Sequence, residues 1–171
     1  MPPLRLRVPN EAALAALAER LAQSDAIENA SIELQGDLGA GKTTFVRHLL
    51  RALGVTGRIK SPTYAVVESY RAQRPQGDRA VDVWHFDYYR LSDPREWEDA
   101  GFRDLYASPG LKLAEWPERV AAVAPRPDCV LRLSPVEAAE DARCLEATAH
   151  TPTGERLLAA LGADPAPPSP C

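Results

Sequence analysis

The chain has 171 residues, of which 45% are hydrophobic and 26% are charged, and its net charge is −4. This composition is sufficient for one globular domain, which we place at residues 1–161. The acidic charge argues against a protein that binds nucleic acid through a strongly basic surface. We find no run of 18 apolar residues and no stretch typical of a secretory signal, so we expect a cytoplasmic protein.

The cysteines and the last ten residues carry little predicted structure. The three cysteines, Cys129, Cys144 and Cys171, form no CxxC pair. Their spacing predicts reduced thiols rather than a disulfide framework or a zinc site. Four prolines within residues 162–171 predict a disordered tail that stays outside the core.

The first third of the chain predicts a helix, a strand, a turn and a second helix. Apolar residues recur at helical spacing over residues 11–23, and Asn10 is a suitable N-cap. Apolar and polar residues alternate over 31–35, which predicts a strand. The glycine-rich segment 36–44 follows directly, and a helix is predicted from about Lys42.

The rest of the chain predicts more strands than helices. Strands are predicted over residues 64–70, 81–86, 111–115, 129–133 and 143–149. Short helices are predicted after Asp93 and from Pro117, and Thr153 is predicted to cap a last helix. The charged segment 71–80 reads as an exposed loop or hairpin turn. This order predicts an α/β P-loop sandwich: a mixed sheet with a parallel centre, antiparallel strands at one side and helices on both faces.

One motif points to chemistry. Residues 36–43, GDLGAGKT, match GxxxxGK[ST] between a predicted strand and a predicted helix. Its glycines permit positive φ, so that successive N–H groups can face an anion together with the start of the helix. Lys42 would add a charge at the β- and γ-phosphates, and the Thr43 hydroxyl is placed to bind Mg²⁺. The motif therefore predicts a nucleotide-binding P-loop.

A P-loop needs a carboxylate on the metal side, and two residues qualify. Asp87 and Glu115 each follow an apolar strand, at the end where open α/β sheets bind ligands. The residues by themselves leave the two equally weighted. Thr63, in a proline-containing loop, is either a switch element that responds to phosphate and Mg²⁺ or part of a plain connection.

Four segments together resemble one family: GDLGAGKTTFVRHLLRALG, KSPTY, HFDYYRL and AEWPERV. They are similar to the TsaE family, also called YjeE, over about residues 8–120. These are small bacterial P-loop ATPases of tRNA threonylcarbamoyladenosine biosynthesis. The resemblance implies a protein that binds ATP and Mg²⁺ as a partner of TsaB and TsaD, and that contacts tRNA only indirectly. The sequence does not determine the oligomeric state, and we favour a monomer. TsaD would modify adenosine 37 itself.

The resemblance also implies roles for particular residues. The phosphates would be held by Gly39, Ala40, Gly41, Lys42, Thr43 and Thr44. Thr43 and Glu115 would bind Mg²⁺, Asp87 would lie near the waters of the metal or near the attacking water, and Thr63 would act as a switch. Asn10 and Ala12 would lie near the adenine. Of a GR-x-x-R pattern common between the last two strands, this chain keeps only Arg143.

Three functions are compared. The first is an ATPase that is slow alone and stimulated by partners, because no arginine finger is evident. The second is a small-molecule kinase, whose lid would use the arginines of segment 71–80, namely Arg71, Arg74 and Arg79. The third is a nucleotide-gated binding module that does not need hydrolysis. His85 reads as a buried, hydrogen-bonded histidine or, less readily, as a catalytic partner of Asp87.

Overall fold

The computed structural model describes residues 1–75, 77, 79–163 and 171, and a seven-stranded sheet forms its centre. The strands are β1 (Leu4–Val8), β2 (Ser31–Gln35), β3 (Val67–Gln73), β4 (Ala80–Asp87), β5 (Leu111–Glu115), β6 (Cys129–Val136) and β7 (Ala139–Ala149). The helices are α1 (Glu11–Gln23), α2 (Lys42–Ala52), α3 (Pro94–Asp99), α4 (Phe102–Ala107) and α5 (Pro152–Leu161), with 3₁₀ turns at Asp25–Asn29 and Pro117–Val120. None of the described helices has the length and apolarity needed to cross a bilayer.

The strand order is β1-β7-β6-β2-β5-β4-β3. The four central strands, β6, β2, β5 and β4, run parallel, while β7 and β3 pair antiparallel to their neighbours and β1 pairs antiparallel to β7. The predicted fold class is confirmed, with antiparallel strands on both sides of the parallel centre. Because β2, β4 and β5 are parallel neighbours, their carboxyl ends meet at one edge of the sheet.

Two hydrophobic clusters cover the two faces of the sheet. Helices α1, α2 and α5 bury the larger cluster against one face, where Val83 of β4 points. On the other face, Phe86 of β4 packs against Trp97 of α3 and Phe102 of α4. The Phe86 and Phe102 rings meet edge to face with centroids 5.3 Å apart. Helices therefore lie on both faces, as predicted.

Several strand boundaries differ from the prediction. β1 was not predicted, although Leu6 and Val8 are buried where it pairs with β7. β3 begins only at Val67, because Val66 takes a positive φ of 69° and turns the chain first. β6 and β7 are longer than predicted and form a hairpin through Ala138, whose φ is 58°.

The helical predictions differ at three places. The last helix is capped by Thr151 rather than by Thr153, since the Thr151 side chain accepts the Gly154 N–H. α4 was not predicted and follows α3 after Gly101. The segment after Pro117 forms one 3₁₀ turn. α1 begins and ends as predicted, with Asn10 as its N-cap.

The cysteine prediction is wrong for two of the three residues. Cys144 and Cys171 form a disulfide, with Cα atoms 5.6 Å apart, while Cys129 is a free, buried thiol. The pair was not visible in the sequence because 27 residues separate it and only the fold brings the two together. Of the predicted disordered tail, residues 164–170 lie outside the described residues.

Segment 71–80 is partly strand, and one of its arginines has a structural role. β3 extends to Gln73 and β4 begins at Ala80, which confirms a hairpin. The Arg74 side chain is buried, and its guanidinium donates to Glu28 Oε1 at 2.6 Å and to the Ala22 carbonyl at 3.0 Å. Arg74 thus ties the hairpin to the last turn of α1 and to the 3₁₀ turn that follows it.

Replacing this arginine should destabilise the fold. We expect Arg74→Met to lose about 2 kcal/mol of unfolding free energy, because buried hydrogen bonds to a charged group are removed. The control is Arg71→Met on the same hairpin, since Arg71 is 70% exposed and pairs with an exposed Asp82. That variant should lose at most about 0.5 kcal/mol. Equal losses in urea unfolding would contradict the role of Arg74.

Glu33 on β2 should make stability depend on pH. Burial, and then the nearby Glu118, raise the pKa of Glu33 from 4.5 to about 7. The folded chain therefore holds this proton more tightly than the unfolded chain, so stability falls as pH rises from about 4.5 to about 7. We expect Glu33→Gln to gain stability relative to wild type across this window. Urea unfolding at pH 5, 6, 7 and 8 measures the difference, and exposed Glu19→Gln is the control.

Candidate functional site

The turn between β2 and α2 has the backbone that its glycines allow. Gly36 has a φ of 146° and Gly41 a φ of 104°, in the region that favours glycine. A Cβ at Gly36 would also lie 2.5 Å from the Leu133 carbonyl oxygen. α2 starts at Lys42 without a side-chain cap, and its first backbone bond runs from Phe45 N–H to the Gly41 carbonyl. The N–H groups of the first turn are thus available to an anion.

A cleft of about 320 Å³ lies beside this turn, and we call it the phosphate cleft. It is lined by Leu38, Gly39, Ala40, Gly41, Lys42, Thr43, Thr44, Thr63, Asp87, Tyr89, Glu115 and Trp116. The structure thereby brings together the residues predicted to bind phosphate and metal, although four separate segments supply them. Thr63 lies on the rim, where its Oγ1 is 2.7 Å from Ser61 Oγ.

The two candidate carboxylates lie side by side at the carboxyl end of the parallel strands. Asp87 ends β4 and Glu115 ends β5, and they are direct partners in the register. Glu115 Oε1 accepts a hydrogen bond from Thr43 Oγ1 at 2.8 Å, and its Oε2 lies 2.6 Å from His85 Nε2. Asp87 Oδ1 instead accepts the Tyr89 N–H at 3.0 Å. Thr43 and Glu115 thus offer hydroxyl and carboxylate oxygens at one point, which is the donor chemistry that suits Mg²⁺.

Burial shifts the charged groups of the phosphate cleft. Desolvation lowers the pKa of Lys42, while Glu115 and the other nearby acids oppose the shift. Its Nζ donates to the Gly36 carbonyl and lies 3.5 Å above the Trp116 ring. Desolvation raises the pKa of Asp87, and the Glu115 charge adds to this. The phosphate cleft therefore places the Lys42 ammonium group near the carboxyl groups of Asp87 and Glu115.

A second cavity, of about 350 Å³, opens on the other side of the turn. It is lined by Val8, Asn10, Glu11, Leu14, Gly39, Ala40, Gly41, Thr44, Asp141 and Arg143. Asn10 is present as expected, but its side-chain oxygen accepts the Ala13 N–H and so caps α1. Ala12 is exposed and is absent from the described lining, so its predicted place near an adenine does not follow from the structure.

Several residues that line the second cavity were not predicted from the sequence as site residues, among them Val8, Asp141 and Arg143. Arg143 Nε donates to the Ala40 carbonyl at 3.2 Å, and its Nη2 lies 3.4 Å from the Gly39 carbonyl. These contacts hold the β6–β7 hairpin, including Asp141, beside the glycine-rich turn. The signal was the single arginine retained from the family pattern. Val8 was missed because β1 was not predicted.

A family model and two curated relatives agree on the family. The model of the family described as "Threonylcarbamoyl adenosine biosynthesis protein TsaE" matches residues 8–145. A relative from Haemophilus influenzae, a "tRNA threonylcarbamoyladenosine biosynthesis protein TsaE", is 38% identical over 130 residues, which are 76% of this chain and 77% of the relative. A Bacillus subtilis protein of the same name is 38% identical over 85 residues, or 50% of this chain and 49% of that one.

A solved structure shares the fold over nearly the whole chain. The crystal structure of YdiB from Bacillus subtilis aligns with a TM-score of 0.69 and 27% identity. The alignment covers 94% of this chain and 95% of that one. The match to the family spans the glycine-rich turn, both carboxylates of the phosphate cleft and the β6–β7 hairpin as far as residue 145. The chain therefore belongs to the TsaE family, whose members act in tRNA threonylcarbamoyladenosine biosynthesis.

Proposed function

We propose that the protein binds ATP with Mg²⁺ and hydrolyses it slowly, as a partner of TsaB and TsaD in tRNA threonylcarbamoyladenosine biosynthesis. One observation carries the ATP and Mg²⁺ part: Lys42, Thr43, Asp87 and Glu115 meet in a single cleft at the start of α2. The partners are proposed from the family resemblance. Contact with tRNA would be indirect, which agrees with the net charge of −4.

In this proposal the glycine-rich turn binds the phosphates. The N–H groups at the start of α2 donate to phosphate oxygens, and Lys42 leaves the Gly36 carbonyl to join them. Thr43 and Glu115, which are hydrogen-bonded to each other, would together hold Mg²⁺. The ion, when bound, neutralises charge that develops between the β- and γ-phosphates.

Asp87 is the proposed partner of the attacking water. Its buried carboxyl faces the same cleft, and one of its oxygens is held by the Tyr89 N–H. The other oxygen has no hydrogen bond within the described part of the chain and would orient water toward the γ-phosphate. The described lining of the cleft includes no arginine, and an arginine finger contributes about 10³–10⁵ in rate. Slow turnover by the isolated chain is therefore expected.

The second cavity is proposed to take the nucleoside end of ATP. Gly39, Ala40, Gly41 and Thr44 line both cavities, so a nucleotide whose phosphates follow the turn reaches both. Leu14 and Val8 offer apolar contact to a base, and Asn10 and Asp141 offer polar contact.

Two of the three arginines considered for a kinase lid have other partners in the structure. Arg74 is buried against Glu28, and Arg71 pairs with Asp82 at 2.8 Å on the exposed hairpin. Neither of these arginines lines the phosphate cleft as described, so they do not form the lid that a small kinase needs.

The proposal is tested by measuring ATP binding with and without Mg²⁺, and phosphate release by the chain alone and with TsaB and TsaD. We expect Mg²⁺-dependent binding, slow release alone and a large gain with both partners. Fast turnover by the isolated chain, or phosphate transfer to a metabolite, would contradict it. Absence of nucleotide-dependent association with TsaB and TsaD would remove the proposed partnership.

A further inference from the structure

His85 lies beneath the proposed metal-binding carboxylate. It precedes Asp87 by two residues on β4 and pairs with Leu113, two residues before Glu115 on β5. Residues two apart on a strand share a face, so the parallel register places His85 and Glu115 on the same face of neighbouring strands. Both side chains are buried, with exposed fractions of 1% and 2%.

The two carboxylate oxygens of Glu115 contact different neighbours. Oε1 accepts from the Thr43 hydroxyl at 2.8 Å, and Oε2 lies 2.6 Å from His85 Nε2. A carboxylate end group rotates freely when nothing holds it. With Oε2 bound to His85, Oε1 must face Thr43, which is the other proposed metal ligand.

The surroundings of the second ring nitrogen of His85, Nδ1, indicate which of the two nitrogens carries the proton. Nδ1 is buried and has no hydrogen-bond partner among the described residues. An N–H left unpaired there would cost the desolvation of a donor, whereas Nε2–H has a carboxylate to accept it. The arrangement therefore suits an imidazole that donates from Nε2 to Glu115.

We infer that His85 is a positioning residue that holds the Glu115 carboxylate in the orientation that binds Mg²⁺. This inference rests on the proposed function, since it takes Glu115 as a metal ligand. Partners that orient a metal ligand typically contribute 10–100-fold in metal affinity. His85 is not among the described lining residues of either cavity, so its loss should weaken Mg²⁺ binding and leave Mg²⁺-free nucleotide binding nearly unchanged.

The test compares three variants that differ in reach and in hydrogen bonding. His85→Gln places an amide donor near the position of Nε2, His85→Asn carries the same group on a shorter side chain, and His85→Leu has similar bulk and no donor. Calorimetry gives the ATP dissociation constant at a series of Mg²⁺ concentrations and in EDTA. Urea unfolding gives the stability of each variant separately.

We expect His85→Asn and His85→Leu to need about 10–100-fold more Mg²⁺ for the same ATP affinity, with affinity in EDTA within about threefold of wild type. His85→Gln should recover most of the Mg²⁺ affinity. Wild-type Mg²⁺ dependence in His85→Asn would overturn the inference, and so would a loss in His85→Gln as large as in His85→Asn. If His85→Leu fails to fold, the Gln and Asn pair still decides.

The wild-type protein separates this inference from the proposed function. If wild type binds ATP with a clear Mg²⁺ dependence and the variants follow it, only the role of His85 is refuted. If wild type shows no Mg²⁺-dependent ATP binding, the proposed function fails and the inference fails with it.

Discussion

Replacing Asp87 by Asn should reduce ATP hydrolysis by about 10²–10⁴-fold, the range of a general acid or base, and leave ATP affinity within about threefold. The amide oxygen of Asn can still accept the Tyr89 N–H that Asp87 Oδ1 accepts at 3.0 Å. The local backbone should therefore survive the change. What is lost is the carboxylate that would orient water at the γ-phosphate.

Phosphate release in the presence of both partner proteins measures this effect, and calorimetry measures ATP affinity. The matched control is Asp82→Asn on the same strand, because Asp82 is 47% exposed and pairs with Arg71. It should hydrolyse ATP like wild type. If Asp87→Asn retains hydrolysis, Asp87 has no role in the chemical step.

The same variant separates the ATPase from the nucleotide-gated binding module. A variant that binds ATP but does not hydrolyse it should fail to support tRNA modification if turnover of the complex needs hydrolysis. If Asp87→Asn loses hydrolysis and still supports modification with TsaB and TsaD, nucleotide binding alone is sufficient. The binding-module function would then replace the one proposed above.

Replacing Gly154 by Ala should destabilise the fold by about 3 kcal/mol, at the upper end of the usual cost of overpacking. A Cβ at Gly154 would lie 1.9 Å from the Asp128 carbonyl oxygen and 2.8 Å from its carbon. The obstacle is backbone and cannot rotate away. The same carbonyl accepts the His150 N–H at 2.8 Å, so a shift would disturb that bond as well.

The control is Gly162→Ala at the other end of α5. The nearest atom to a Cβ there is the Leu158 carbonyl oxygen at 3.5 Å, an ordinary contact. This variant should be as stable as wild type or slightly more so, since alanine restricts the unfolded chain. Urea unfolding of both variants measures the contrast. Equal stability of the two would show that α5 can move away from Asp128.

The glycine-rich turn and its flanking elements could be predicted because local rules decide them. The positive φ angles at Gly36 and Gly41 favour glycine at both positions. The apolar residues of α1 and α2 recur at helical spacing, which predicts helices with one face buried in the core. The strand Leu111–Glu115 was likewise predicted with its observed bounds, since a short apolar run buried on both faces has few alternatives.

Other elements depend on pairing between distant segments. β1 is an edge strand of five residues that is stabilised by pairing with β7, about 140 residues later in sequence. The disulfide between Cys144 and Cys171 and the hidden role of Arg74 have the same origin. These features are stabilised by contacts between residues that are distant in sequence, so no local sequence pattern predicts them.

The sequence by itself determined that a glycine-rich turn matching the P-loop motif stands between a strand and a helix, and it restricted the candidates for a metal-side carboxylate to Asp87 or Glu115. Only the tertiary structure shows that these two carboxylates have different partners, because the parallel register of β4 and β5 brings Glu115 between Thr43 and His85. It also places Asn10 in the lining of the second cavity. Hydrogen bonds between side chains on different strands depend on register and strand order, and both are set by packing of the whole sheet.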